Sequence, residues 1–471
     1  MSFAAPALEA SGPQGRAIPY DLAPPVLALA MFALCAVSPA VFNDGDTFSH
    51  IATGSWMVAH HAIPHADPFT SSVPGKPWTA HEWLSELALW AAWRAAGLIG
   101  VALLTGAAAA SAVYIVARSA SRRLGGPALA AVGVLALMLI GPGLLARPHI
   151  LALPLLALWA DALTRAGDRA PPLWVAALML PWANLHGGFA FGLALIAPFA
   201  LESWLAAEQK LDCAKTWAIF TLASVAAALI NPYGAEGLLF PVRLLGVQSL
   251  ARVGEWAPES FAHLNALEIV ILGLIGVAAL RPFRLPPIRL LVLLGLLHMS
   301  LSHARHEMLL AVIGPMLLAR PLAKAFATPA GEHRPRLAAL LALGLALAVG
   351  RFALPAPKIP GLASTQAALA ALPAQTKAQP GLNGYAFGGY LIFEGVKPYV
   401  DGRADMFGDA FLDDYARLAR GEDLAPFLQD RRIAWTLFAP DQGAVAAMDA
   451  MPGWKRVYAD ARAVAHVRTA P

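Results

Sequence analysis

The chain is poor in charge, in lysine and in cysteine. Only 14% of its 471 residues are charged, against about 25% in soluble domains. Beside 58% hydrophobic residues, that shortage excludes an ordinary soluble globule. Lysines number 8 against 26 arginines, for a net charge of only +4. The basic residues form no continuous stripe, so no nucleic-acid partner is expected. The two cysteines, Cys35 in an apolar run and Cys213 in a loop, fall at different depths, which argues against a disulfide. Zinc-type cysteine spacing is missing, and His81-Glu82-Trp83-Leu84-Ser85 lacks the second histidine of a zinc-protease helix. No GxGxxG precedes an apolar helix, so a dinucleotide site is rejected, and no 20–50-residue repeat appears.

What the chain does have is apolar runs. A membrane span needs about 20 apolar residues. Runs at 25–43, 98–118, 127–145, 149–164, 171–185, 187–206, 215–230, 266–281, 286–301, 306–321 and 336–354 read as eleven spans. The fold class expected is an α-helical polytopic membrane protein with about 11 transmembrane helices and a small C-terminal α/β domain. Residues 1–24 form a tail, 25–355 the transmembrane domain and 356–471 the α/β domain. The first run is long for a signal peptide and is flanked only by Arg16, so it reads as a retained span. Arginine over lysine and alanine-rich spans suit a high-GC bacterium, hence its inner membrane.

Loop charge sets the orientation. With the N-terminus inside, the inner loops hold Arg118, Arg122, Arg123, Arg165, Arg169, Lys210, Lys215, Arg281, Arg284, Arg289, Arg320, Lys324, Arg334 and Arg336. The longer outer loops hold only Lys76, Arg94, Arg147, Arg243, Arg252 and Arg305. The tail is then cytoplasmic and the C-terminal domain periplasmic. Every polar motif falls outside: Asn43 to Asp46, Arg147-Pro148-His149, Asn184 to Gly188, Asn231 to Gly234, Glu255-Trp256 and Ser302 to Glu307. The first outer loop, 43–97, is long enough to carry its own structure. Thr47 to His61 reads as an amphipathic helix and Thr79 to Ala96 as a second, interfacial helix with Trp83, Trp90 and Trp93. In the C-terminal domain, strands are expected at 390–393, 398–400, 433–438 and 463–467, with a helix at 409–420.

Charged side chains at a span mouth are costly without a task. Asp44 and Asp46 suit a general base or hard oxygen ligands for a divalent cation such as Mg or Mn; equally, Asp46 caps the helix behind it. His50, His60, His61, His65 and His81 are either zinc ligands or hydrogen-bonded loop residues. Arg147, His149, Arg305 and His306 are candidate phosphate donors or side chains reaching to the interface. Asn184 and His186 either contact substrate or satisfy backbone in a hairpin turn. Gly388-Gly389-Tyr390 and Asp401 to Gly408 are the densest motifs of the C-terminal domain, and Asp401-Gly402-Arg403 also reads as a turn braced by an Arg–Asp pair.

A first span ending in an acidic outer loop, two interfacial helices, many further spans and a C-terminal outer domain resemble the GT-C superfamily of polyprenyl-phosphate-dependent glycosyltransferases. The segments Asp46 to Gly54, Ile63-Pro64, Asp67-Pro68-Phe69, Glu82-Trp83-Leu84, Gly-Gly-Tyr and Asp-Gly-Arg also resemble a family of bacterial multi-pass membrane proteins, a likeness that implies no activity. The superfamily resemblance implies a sugar transfer from a polyprenyl phosphate or pyrophosphate donor to a periplasmic cell-envelope acceptor, with membrane lipids around it. It implies Asp44 as base or metal ligand, with Asp46 as the second acid; beside it, Glu82 is read from its place in the loop as assisting or holding a metal. Arg147 and Arg305 would meet the departing phosphate, and His50, His149, Asn184, His186 and His306 would bind substrate. The Trp-Trp-Asp signature of oligosaccharyltransferases is absent, which disfavours asparagine glycosylation. The alternatives are a non-enzymatic transport or envelope-assembly protein, or a metal hydrolase built on the histidines.

Overall fold

A chain segment in lipid has no water to satisfy its backbone, so long apolar runs become helices. The computed structural model describes residues 22–244, 246, 257–328 and 337–469. Most of the expected tail, Glu255-Trp256, and Arg252, Arg334 and Arg336 of the loop-charge pattern lie outside the described residues. Each expected span coincides with an apolar helix. Five are long and apolar enough to cross a membrane: Trp83–Ser121, Gly126–Gly143, Phe189–Ala206, Lys210–Ala228 and Ala304–Ala325. Six are shorter: Ala23–Val37, Pro148–Thr164, Leu173–Leu185, Ala266–Leu280, Pro287–Ser302 and Ala338–Arg351.

Four helices position the site: α1 (Ala23–Val37), α2 (Asp46–His60), α3 (Trp83–Ser121) and, beyond Gly126–Gly143, α4 (Pro148–Thr164). At 39 residues α3 would run to about 58 Å, nearly twice a bilayer's hydrocarbon core. It breaks at Ala96 (φ −149°, ψ 25°) and Gly97 (φ 56°, ψ −147°), a backbone state glycine adopts without strain. The expected interfacial helix is thus its first segment. It starts at Trp83 rather than Thr79, because Thr79 to Glu82 turns, His81 N–H donating to Thr79 O at 2.8 Å. The helices approach closely where side chains are small. A Cβ on Gly106 of α3 would lie 3.0 Å from Cys35 Cβ of α1, and one on Gly54 of α2 would enter the Glu86 backbone. Both cysteines are buried free thiols.

Polar partners gather at the two ends of the helices. At one end Asp161 takes Arg122 (2.6 Å) and Arg165 (3.3 Å), and Arg289 takes Glu202 (2.9 Å). At the other, Arg351 donates to Ala36 O at 2.5 Å, capping the C-terminus of α1. The first-loop, Asn184 and Asn231 motifs meet there, and Tyr233 O–H donates to Pro64 O at 2.9 Å.

The C-terminal domain is a four-stranded sheet with helices. Strands β1 (Gly381–Asn383), β2 (Trp435–Phe438), β3 (Trp454–Ala459) and β4 (Val464–Arg468) lie in the order β1-β2-β4-β3, with only the β1–β2 pair parallel. Two expected strands are absent. Residues 390–393 belong to the helix Gly388–Phe393, whose Tyr390 and Phe393, three residues apart, face Phe48 of α2 with ring centroids at 5.0 and 5.2 Å. Residues 398–400 form no ladder because Ser71 N–H, Ser71 O–H and Ser72 O–H take Pro398 O and Tyr399 O, while Asn383 Oδ1 accepts from Tyr399 N–H. The expected helix 409–420 is Asp409–Ala419.

The domain sits directly on the first outer loop. Lys76 Nζ donates to Phe407 O at 2.8 Å. A Cβ on Gly389 would enter the carbonyl of Gly45, one on Gly45 would lie 2.7 Å from Ala386 O, and one on Gly402 would enter the Asp46 carboxylate. Gly389→Ala must push backbone from backbone. It is expected to cost about 1–3 kcal/mol, as overpacking does, and to loosen the domain. Gly276→Ala, with open space around it, serves as control. Thermal unfolding and limited proteolysis in detergent read both; equal behaviour of the two variants refutes the docking.

Candidate functional site

The site begins with two carboxylates and one cation. Asp44 Oδ1 accepts the Asp46 amide at 3.0 Å, so Asp44, and not Asp46 as expected, closes the open N-terminus of α2. Arg147 precedes Pro148, the first residue of α4. Its strand of chain is pinned to the end of the first span by Ala146 N–H donating to Val41 O at 2.8 Å. From there Arg147 reaches both acids, Nη1 to Asp44 Oδ2 at 3.0 Å and Nη2 to Asp46 Oδ2. Asp46 thereby turns its carboxylate into the protein instead of back along its own helix.

A second cluster converges on Glu82 at the head of α3. His81, His186 and His50 place a ring nitrogen 3.6, 3.7 and 3.9 Å from its carboxylate. His50 Nδ1 also lies 3.3 Å from Glu86 Oε1, one helical turn on. Burial alone would raise the Glu82 pKa, but His81, His186, His50 and Arg147 carry it down to about 2. Burial takes His186 down to about 3 against the pull of Glu82. His186 is therefore neutral near pH 7, and Glu82 owes its charge to His81, His50 and Arg147. Burial also pushes His50 down, yet its bond to Glu86 and the charges of Glu82, Glu86 and Asp46 leave it above the ordinary histidine value.

The third wall comes from the C-terminal domain. Asp46, Ser49, His50, Glu82, Glu86 and Arg147 line one side of a cavity of about 90 Å³, and Gly402, Arg403 and Asp405 line another, with Trp78 and His81 between. Arg403 is bound to Asp401 (2.6 Å) and Asp67 (2.9 Å) and stacks on Trp78, 4.5 Å from the ring centroid. Burial raises the Asp405 pKa above its ordinary value although His81 and Arg403 pull it back.

Of the expected residues, Asp46, Glu82, His50 and Arg147 line this cavity, with His186 on Glu82. Asp44 stands behind the wall, holding Asp46 and Arg147. His149 lies with its ring centroid 6.2 Å from that of His186, and its Nε2 is 3.0 Å from Gly143 O. Arg305 does not line the cavity, though its charge bears on His186. His306 sits beyond, on Met299 O. Asn184 is buried and its amide braces backbone: Oδ1 accepts from Trp83 Nε1 at 2.7 Å and Nδ2 donates to Leu180 O and Ile230 O. It thus ties its own helix to the head of α3 and to the segment at Ile230. The five loop histidines do not converge: His60 stacks on Trp56 and His65 on Tyr233, while only His50 and His81 reach the cavity. Glu86 was not singled out in the sequence; Arg403 and Asp405 stood out only as part of the Asp401 to Gly408 motif, with Arg403 as the brace of its turn, which its bonds to Asp401 bear out. The signals were a carboxylate one turn after Glu82 in an apolar helix, and the density of the 401–408 motif.

A divalent cation on Asp44 and Asp46 meets an obstacle in this arrangement. The Arg147 guanidinium already bridges the two carboxylates. Among the described residues no group of three or more His, Cys, Asp and Glu has the disposition of a metal site. The residues as arranged hold an arginine cation, and a metal on the pair requires Arg147 to leave.

Two outcomes follow. Arg147→Met leaves two neighbouring, partly buried carboxylates without their cation and is expected to cost about 1–3 kcal/mol, read as a lowered unfolding temperature; an unchanged one refutes the clamp. For pH, the raised His50 contributes stability fully present below about pH 6.5 and lost as pH rises through its folded value. The lowered Glu82 contributes above about pH 4.5 and loses it as pH falls toward 2. The buried His186, lowered to about 3, also takes stability away as pH falls below about 6.5, so the acid side of the cluster's profile reflects His186 together with Glu82. His50→Gln should flatten the decline on the alkaline side, and an unaltered thermal-unfolding profile from pH 6 to 9 refutes that assignment.

No protein-family model matches the sequence, and no curated protein matches it. Solved structures do. The oligosaccharyltransferase of Archaeoglobus fulgidus in its apo form aligns with TM-score 0.53 and 12% identity, over 90% of this chain and 70% of that one. The same organism's AglB, in complex with an inhibitory peptide and a dolichol-phosphate, aligns with TM-score 0.51 and 12% identity, over 89% and 69%. ArnT from Cupriavidus metallidurans, bound to undecaprenyl phosphate, aligns with TM-score 0.47 and 13% identity, over 96% and 98%. At such identities the likeness to the two oligosaccharyltransferase structures is one of fold alone.

Proposed function

We propose that the chain is a membrane glycosyltransferase that moves a sugar from a polyprenyl phosphate or pyrophosphate donor to a cell-envelope acceptor. The observation that carries this reading is the joint position of Asp46 and Arg147. Both face one cavity where the first loop, the start of α4 and the C-terminal domain meet, in a fold shared with oligosaccharyltransferases, one of them solved with a dolichol-phosphate. The loop-charge pattern supports a periplasmic position for this end of the helices and a cytoplasmic N-terminus, and the composition supports a bacterial inner membrane.

In this reading Asp46 takes the proton of the acceptor hydroxyl or amine. The freed electron pair attacks the anomeric carbon from the face opposite the phosphate. The carbon–oxygen bond to phosphate breaks, its electron pair leaves with the polyprenyl phosphate, and the anomeric centre inverts. Arg147 supports the growing phosphate charge, with Arg305 and the neutral His186 toward the rim. Asp44 positions rather than reacts, since it holds the Asp46 amide and the far side of Arg147. Glu82, kept ionised, holds the histidines in place.

Reconstituted protein, supplied with polyprenyl-phosphate sugars and envelope acceptors, tests this. Asp46→Asn is expected to lower transfer by about 100-fold or more with folding intact, and Asp44→Asn by about tenfold through misplacement of Arg147. Near-normal transfer by Asp46→Asn sinks the assignment. EDTA is expected to change the rate by no more than about twofold; a larger loss restored by Mg or Mn would show a cation displacing Arg147 as part of the Lewis-acid route. Comparison of envelope glycans with and without the protein identifies the acceptor.

A further inference from the structure

Arg403 is more tightly held than a turn requires. Its Nε and Nη2 donate to Asp401 at 2.9 and 2.6 Å, and Nη2 also meets Asp67 at 2.9 Å. Both carboxylate side chains are fully buried. The guanidinium carbon lies over the Trp78 and Phe69 rings, 4.5 and 5.3 Å from their centroids. All its freedom is removed, yet Nη1 is buried and has no hydrogen-bond partner among the described residues. Glu86, which lines the same cavity, spends Oε1 on His50, and its Oε2 is likewise buried with no partner among the described residues. Buried polar atoms are almost always paired, because an unmet donor or acceptor forfeits its hydration. Here one donor and one acceptor are left unmet in one cavity, each on a side chain locked by its neighbours.

We propose that Arg403 and Glu86 are the specificity-determining pair of the cavity, reading hydroxyl groups of the transferred sugar; this rests on the glycosyltransferase reading above. The ligand class follows from charge. Arg403 already faces two buried carboxylates, and Asp405 stands beside it. A phosphate placed on Nη1 would meet an excess of negative charge, whereas a neutral oxygen would not. A hydroxyl both accepts from Nη1 and donates to Oε2, so a polyhydroxylated ring meets both needs and a bare lipid phosphate meets neither. Arg403 belongs to the C-terminal domain and Glu86 to α3, so the sugar would bridge the two. The C-terminal domain is then a wall of the sugar subsite as well as a cover.

The test compares full-length protein in nanodiscs against two probes, undecaprenyl phosphate and undecaprenyl phosphate carrying glucose, mannose or N-acetylglucosamine. Wild type is expected to bind one sugar-bearing probe at least about tenfold more tightly than the bare lipid phosphate, since a site built to pair a hydroxyl rejects the ligand that lacks it. Arg403→Lys keeps the charge against Asp67 and Asp401 but removes Nη1, and Glu86→Gln replaces the acceptor while keeping the shape. Each is expected to bring that preference to within about threefold, with affinity for the bare lipid phosphate unchanged within about twofold. If Arg403→Lys does not fold, Glu86→Gln alone decides. Equal weakening toward both probes, or an intact preference in folded variants, overturns the proposal while leaving the glycosyltransferase reading standing. Failure of wild type to bind either probe sinks that reading and takes this one with it.

Discussion

Two carboxylates one residue apart, at the start of a helix and partly withdrawn from water, repel each other unless a cation stands between them. Arg147 is that cation, and much of the outer end of the molecule is arranged so that it can be. The turn before α4 is tied to Val41, which fixes where Arg147 emerges. Asp44 is committed to the first amide of α2, which fixes which acid can face inward. Moving any one of these three segments would leave a charge without its partner in a region of low dielectric, where that cost is greatest.

The same constraint explains how the C-terminal domain is seated. Asp46 can be covered only by something with no side chain, and Gly402 lies against its carboxylate. Gly45 and Gly389 bring backbone onto backbone beside it. The flanking residues then supply what the glycines cannot: Tyr390 and Phe393 bury against Phe48, and Arg403 brings charge to the Asp67 turn. A small domain joined by one linker is thus held by close approach, aromatic packing and a buried ion pair along one short seam.

Much of this was legible in the chain and some was not, for physical reasons. Apolar runs predict helices well because lipid leaves the backbone no other choice, and each expected span has its helix. Alternation and short apolar stretches predict strands poorly, because four residues such as Tyr390 to Phe393 carry no period that separates helix from strand; an aromatic neighbour from α2 decided the matter. Asp46, Arg147 and Glu82 stood out because a charge near a span needs a reason. Asn184 stood out equally, and the structure shows it tying its helix to Trp83 and to Ile230. Glu86 did not stand out, and Arg403 stood out only as the brace of a turn, since their significance is an atom left unpaired after folding, which spacing cannot show.

The charges of the assembled cavity constrain where each part of a lipid-linked ligand can lie. Arg147 is shared by Asp44 and Asp46, Arg403 by Asp67 and Asp401, and Glu82, Glu86 and Asp405 complete the walls. His186, being neutral near pH 7, adds no charge to offset them. Among the described residues the walls are rich in carboxyl groups and both guanidinium groups are engaged by carboxylates, which favours neutral hydroxylated groups. On the glycosyltransferase proposal, the phosphate of the donor would lie nearest Arg147 with its lipid tail among the helices, and its sugar would point toward the wall that Gly402 and Arg403 of the C-terminal domain supply.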